Sequence, residues 1–316
     1  MPTHCTGSAK SVYSTRLWDR VMFELIGIPP QALFGQLLLG VINGSFYAVL
    51  SLGLALIFGL LNVINFTHGA QYMLGAYVAW LCMSWAGINY WVSLLVAPIV
   101  VGVFGILMER LFLRWLYKLD HLYGLLLTFG LALIIEGVFR QIYGISGQPY
   151  PIPSQLTGAQ NLGFMFLPNY RAWVVAASLV ICLSTWLVIE KTRLGAYLRA
   201  GTENPALVQA FGINVPRMIT FTYGFGVALA ALAGVLAAPI YQVKPTMGAD
   251  MIIVVFAVVV IGGMGSIMGS VVTGFILGLL EGLTKVFYPE ASNTIIFVAM
   301  AVVLFIKPAG LFGRVN

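Results

Sequence analysis

The sequence predicts an all-α membrane protein: a polytopic helix bundle with about 8–9 spans, with room for one re-entrant half-helix among them. Three observations carry this. First, 60% of the 316 residues are hydrophobic and only 8% are charged, with a mean hydropathy of +0.96. A soluble domain carries about 25% charged residues, so this surface faces lipid or other buried helices. Second, no Asp, Glu, Lys or Arg occurs between Glu24 and Glu109, Arg217 and Lys244, Asp250 and Glu281, or Glu290 and Lys307. Third, the apolar runs are long. They approach the ~20 residues of a spanning helix and exceed the strands of a barrel; only these two structures satisfy their backbone polar groups in lipid.

In chain order, residues 1–30 read as a poorly ordered N-terminal extension with a short amphipathic lead-in, and residues 31–316 as one transmembrane domain. The polar stretch before Met22 makes that methionine a second candidate start, and no apolar core precedes the first span as a cleavable signal requires. Spans fall near 33–61, 66–86, 91–111, 122–143, 172–189, 217–240, 266–286 and 292–307. Met251–Ile261 is a ninth, shorter candidate for a re-entrant segment. Basic residues gather in the segments Glu109–His121 and Glu190–Arg217 and in the tail with Lys307 and Arg314, which places all three in the cytoplasm. The Pro- and Gly-rich stretch 144–171 carries only Arg171 and falls outside. Counting back puts the N-terminus outside, against Lys10, Arg16 and Arg20; a break near Asn43–Ser45 in the long first span would reverse it. The net charge of +6 follows from these loops and implies no nucleic acid. Cys5, Cys82 and Cys182 show no metal or redox spacing.

Small residues recur every four positions at Gly226, Ala230, Gly234 and Ala238, at Gly274, Gly278 and Gly282, and at Gly265 and Gly269. Such stripes let helix backbones approach closely.

Polar groups inside apolar spans are costly and face a cavity or another helix. Asn43, Ser45 and Tyr47 in the first span, and Asn65, Thr67 and His68 at the start of the second, are therefore the candidate lining of a translocation path. Taken singly, each also fits helix packing, and Asn65 or Thr67 fits an N-cap. Glu136 with Arg140, and Glu281 with Lys285, stand four apart in the order that favours a helix ion pair. His68 has no carboxylate near it in sequence and reads as a neutral hydrogen-bonding group. In the segment 190–216, Thr202 with Pro205 and Gly212 mark a short helix whose Ala206, Leu207, Ala210 and Phe211 form an apolar face. That face rests on the membrane surface, on the chain's own helices or on a cytoplasmic partner.

Four stretches in order resemble the permease subunits of branched-chain amino acid ABC transporters. GSFYAVLSLGLALIFGLLNVINFTHGAQYMLGAY is similar to their first two spans, Arg199–Gly212 to their coupling loop, and GGMGSIMGSVVTGFILGLLEGL and KPAGLFGR to their C-terminal signature. The resemblance runs from about Gln36 to Arg314. Two features depart from it: many members carry an acidic residue shortly after the Gly of Thr67-His68-Gly69-Ala70-Gln71, and the stretch before Met22 is extra.

The resemblance implies a multi-pass protein of the bacterial inner membrane. Its implied partners are a second permease subunit, two cytoplasmic ATPase subunits, a periplasmic solute-binding protein and membrane lipid. It also implies that Arg199, Glu203, Asn204, Ala206, Leu207, Ala210, Phe211 and Gly212, within the coupling loop 190–216, meet the ATPase. The chain contains no G-x-x-x-x-G-K-[ST], so it is expected to bind no cofactor, its partners hydrolysing ATP, and to be no enzyme. Branched-chain or other small amino acids are the default cargo. Alternatives are urea or short amides in a related importer, or a secondary transporter using Glu136, Glu281 or His68. A passive channel and a membrane enzyme fit less well.

Overall fold

A computed structural model describes residues 29–61, 65–117 and 119–313. The expectations for the N-terminal extension and a start near Met22 fall outside these residues. The described chain is a helical bundle. Its elements are α1 (Pro30–Leu61), α2 (Thr67–Ala86), α3 (Tyr90–Met108), α4 (His121–Tyr143), α5 (Asn169–Lys191), α6 (Arg193–Glu203), α7 (Pro205–Ala210), α8 (Val215–Tyr241), α9 (Met247–Gly262), α10 (Ile267–Phe287) and α11 (Ile295–Ile306). Helix α3 runs on through a π-turn, Glu109–Leu113, to Leu116. Among the described residues, six helices are long and apolar enough to cross a membrane: α1, α3, α4, α5, α8 and α10. Helices α9 and α11 are apolar but shorter, at 16 and 12 residues. The stretch 144–171 also holds a two-stranded hairpin, β1 (Ala159–Asn161) with β2 (Phe166–Pro168), where the sequence predicts a loop.

Burial separates the helices into a centre and a shell. The apolar windows of α1 and α8 are 83% and 72% buried, whereas those of α4 and α5 are 11% and 28% buried. Shell helices turn Leu126, Leu133, Ile134, Leu179 and Val180 outward, as side chains in lipid do. The centre is assembled through glycine. Where α1 crosses α10, a Cβ on Gly40 would lie 2.5 Å from the carbonyl oxygen of Gly278, and one on Gly274 2.7 Å from the nitrogen of Ala48. The stripe Gly274, Gly278 and Gly282 is thus a packing face against α1. Gly265 does not share a helical stripe with Gly269; it stands in the turn before α10, at φ 83°.

Helix α1 is one continuous helix of 32 residues. It has no break near Asn43–Ser45, the feature that would have reversed the N-terminus: Gly44 packs against Gly274 and Ser45 returns its hydroxyl to the carbonyl of Ile42 at 2.7 Å. The segment 190–216 is not one short helix in a loop. Helix α6 fills its first half, and the cap of α7 is Asn204, whose side chain accepts from the Leu207 N–H at 3.0 Å. Thr202, expected as the cap, lies inside α6 and donates to Arg199 O at 2.7 Å. Gly212 follows α7 at φ 83°, the left-handed conformation that ends a helix.

Candidate functional site

The polar candidates of α1 and α2 separate into two clusters. In the first, Asn43 and Tyr47 lie four apart on α1, and Glu281 and Lys285 four apart on α10, so each pair occupies one helix face. The glycine contacts bring the two faces together. Tyr47 donates its hydroxyl to Glu281 Oε2 at 2.7 Å, Asn43 donates its amide to Oε1 at 3.3 Å, and Lys285 Nζ pairs with the same Oε1. Tyr241, near the end of α8, donates to Asn43 Oδ1 at 2.9 Å. The Glu281 side chain is 5% exposed and that of Lys285 35%. A carboxylate this deep is tolerable only when charge and hydrogen bonds surround it. Tyr241 and the convergence on Glu281 were not legible in sequence, because 238 residues separate Asn43 from Glu281.

The second cluster gathers where α1 hands over to α2. Neither Asn65 nor Thr67 caps α2; residue Phe66 holds that position with no side-chain cap bond. Asn65 donates to the Tyr223 hydroxyl of α8 at 3.1 Å, Thr67 donates to Asn65 Oδ1, and Gln71 donates to Tyr223 at 3.2 Å. Gln71 follows Thr67 by one turn on a fully buried face, a spacing that could have marked it in the sequence. His68 is fully buried beside Gln71, its Nε2 3.0 Å from the carbonyl oxygen of Leu50 on α1. Ser45 joins neither cluster.

A narrow crevice opens beside the second cluster, lined by Asn65, Thr128, Tyr117 and Tyr223 with Ile57, Leu113, Leu116 and Gly124. Bonded to Tyr117 of that lining is Glu109, read in sequence as the start of a loop. The π-turn carries it inward instead, 1% exposed, where it accepts from Tyr117 and from Thr220 of α8, both at 2.8 Å. Burial and the adjoining carboxylate raise the Tyr117 phenol well above its ordinary pKa, so it remains a donor. Glu136 and Arg140 do pair, at 2.7 Å, in the C-terminal half of α4. Among the described residues, no group of three or more His, Cys, Asp or Glu is placed to hold a metal ion.

The segment expected to meet a partner packs on the bundle through Leu198, Gly201 and Val208 and leaves its other face open. Val208 anchors α7 at 6% exposure, while Phe211 and Leu207 are 77% and 54% exposed. Ala206, Ala210, Glu203, Asn204 and Gly212 are exposed as well. Arg199 pairs with Glu190 at 3.1 Å, at the surface.

These features agree with what the chain is similar to. Residues 36–306 match the family described as the permease component of the branched-chain amino acid transport system. The high-affinity branched-chain amino acid transport system permease protein LivH of Salmonella typhimurium is 30% identical over 296 residues, covering 88% of this chain and 95% of the relative. BraD of Pseudomonas aeruginosa, named likewise, is 28% identical over 292 residues, with the same coverage of 88% and 95%. The ribose import permease RbsC of Escherichia coli is 32% identical over 116 residues, 34% of this chain and 35% of the relative. No solved structure matches significantly. A family match over most of the chain, on a bundle whose few polar groups are drawn inward, makes this protein a member of the family of branched-chain amino acid transport permeases.

Proposed function

We propose that the chain is one of two different permease subunits in an ATP-driven importer of the bacterial inner membrane. A periplasmic binding protein delivers branched-chain or other small amino acids, and two cytoplasmic ATPases drive their passage. In this reading the chain crosses the membrane nine times, with Pro30 outside and Lys307 inside. Helix α9 is then a short crossing rather than a re-entrant segment. It begins just after Tyr241, which touches Asn43, and ends just before Gly265, which lies against Gly59. Its 16 residues rise about 24 Å, the same span as α1 covers between those two contacts. Arg110, Arg114, Lys191, Arg193, Arg199 and Arg217 then all face the cytoplasm.

One observation carries the coupling role. Helix α7 is capped by Asn204, closed by Gly212 and pinned through Val208, yet holds Phe211 and Leu207 out in a charged loop. An exposed aromatic on a fixed helix is an anchor for a partner's groove. Phe211→Asp is expected to leave membrane insertion intact, abolish co-purification of the ATPase and stop ATP-dependent leucine uptake. Retention of both by that variant refutes the docking role.

A further inference from the structure

We propose that the Glu281–Lys285 pair binds the two charged ends of a zwitterionic amino acid at the outer end of the bundle. This rests on the importer reading above and assigns its solute class to particular side chains.

Depth and exposure divide the pair into two roles. Glu281 is 5% exposed and fixed by Tyr47 at 2.7 Å and Asn43 at 3.3 Å, so its position is set before any solute arrives. Asn43 is itself held by Tyr241 at 2.9 Å, which ties the carboxylate to α1 and α8 together. Lys285, 35% exposed, is the rim of the same site. Its ammonium is a compact charge on a flexible stem, able to turn from Glu281 toward a neighbouring anion. The wall behind does not yield, since α1 and α10 touch backbone to backbone at Gly40 and Gly278. Glu281 and Lys285 lie one turn apart on α10, so their pairing does not itself hold α10 to α1; Tyr47 and Asn43 make that contact, which leaves Lys285 free to exchange its partner.

The exchange conserves charge. The solute's ammonium takes the place of Lys285 on Glu281 Oε1, and Lys285 moves to the solute's carboxylate. One ionic contact becomes two, and the net charge of the site is zero before and after. Urea and simple amides bring no full charge to either side and gain nothing from opening the pair. The site therefore selects zwitterions.

The test uses the complete complex, purified through a tag on this chain and freed of binding protein, with radiolabelled leucine as the probe. Wild type is expected to bind leucine in competition with other zwitterionic amino acids, and not with urea, leucinamide or 4-methylpentanoate. Lys285→Met is expected to bind leucine at least about tenfold more weakly, the loss of one charge-assisted contact. It should then prefer the cation leucinamide, because Glu281 is left unopposed. Glu281→Gln is expected to show the reverse preference, for 4-methylpentanoate. Lys285→Arg keeps leucine binding. Because Lys285 lies at the rim, its two variants report even if Glu281→Gln does not assemble. A merely structural pair would not invert charge preference. Wild-type affinity and selectivity in Lys285→Met overturns the proposal. So does a wild-type complex that binds no leucine yet imports it from loaded binding protein. A complete system without ATP-driven leucine uptake would instead sink the importer reading itself.

Discussion

Gly278→Ala tests whether the bundle centre depends on backbone contact. The added methyl would sit 2.3 Å from the Gly40 carbonyl oxygen and 2.5 Å from the nitrogen and Cα of Gly44. Every one of these atoms is backbone, so no side chain can rotate away. Ordinary contact begins near 3.4 Å, so α1 must retreat by about 1 Å. It is blocked behind, where a Cβ on Gly53 would lie 2.6 Å from the carbonyl oxygen of Gly226 on α8. The retreat also stretches the 2.7 Å bond from Tyr47 to Glu281 beyond hydrogen-bond range. Overpacking costs about 1–3 kcal/mol and the lost bond to a charged acceptor about 1.5–3 kcal/mol, together roughly 2.5–6 kcal/mol. Gly137→Ala is the control, because a Cβ there meets nothing within 4 Å on exposed α4. It should be neutral or up to about 1 kcal/mol stabilising through helix propensity. Thermal unfolding in detergent, with size-exclusion profiles, reads both. Gly278→Ala is expected to melt far below wild type and Gly137→Ala at or above it. Equal melting of Gly278→Ala and wild type refutes the contact.

His68→Gln should keep most leucine uptake with an unaltered pH profile between about 5.5 and 8, since an amide can donate to the Leu50 carbonyl as the ring does; loss of a pH-dependent component of transport would make His68 a proton carrier. Glu109→Gln turns one acceptor into a donor, so only one of Tyr117 and Thr220 keeps its bond, and a destabilisation of about 1–3 kcal/mol should appear in detergent melting. Gly212→Val forces a β-branched residue to a φ of 83°, at about 1–3 kcal/mol, and should weaken ATPase co-purification while leaving the amount of inserted protein unchanged.

The limits of the sequence reading follow from distance along the chain. Helices were legible because the absence of charge is a local property. The span placed at 122–143 is α4, His121–Tyr143, and that at 217–240 is α8, Val215–Tyr241. Pairs one turn apart, Glu136 with Arg140 and Glu281 with Lys285, were legible for the same reason. What the sequence hid was long-range or depended on helix phase. Glu109 looks like a loop acid followed by bases, and only the π-turn rotates it toward Thr220, 111 residues away. Thr202 is a good cap by type, but α6 continues through it and Asn204 takes the role one turn before the next free N–H. Asn43 and Ser45 looked like a helix break because their partners, Glu281 and the Ile42 carbonyl, cannot be read from polarity alone.

The central position of α1 bears on how the protein is made. It is the first described helix to leave the ribosome, yet the face carrying Asn43 and Tyr47 is completed only by α10, 238 residues later at Glu281. At roughly 5–20 residues per second, α10 emerges on the order of 10 to 50 s after α1. Until α8 is made, the Gly40 and Gly44 stripe and Asn43 have neither α8 nor α10 to cover them. Unsatisfied polar groups in hydrocarbon are costly, so nascent α1 is expected to wait against the insertion machinery or a chaperoning helix rather than disperse into lipid. Insertion of this bundle is therefore paced from its far end, and truncations that stop before Ile267 should leave α1 exposed to membrane proteolysis.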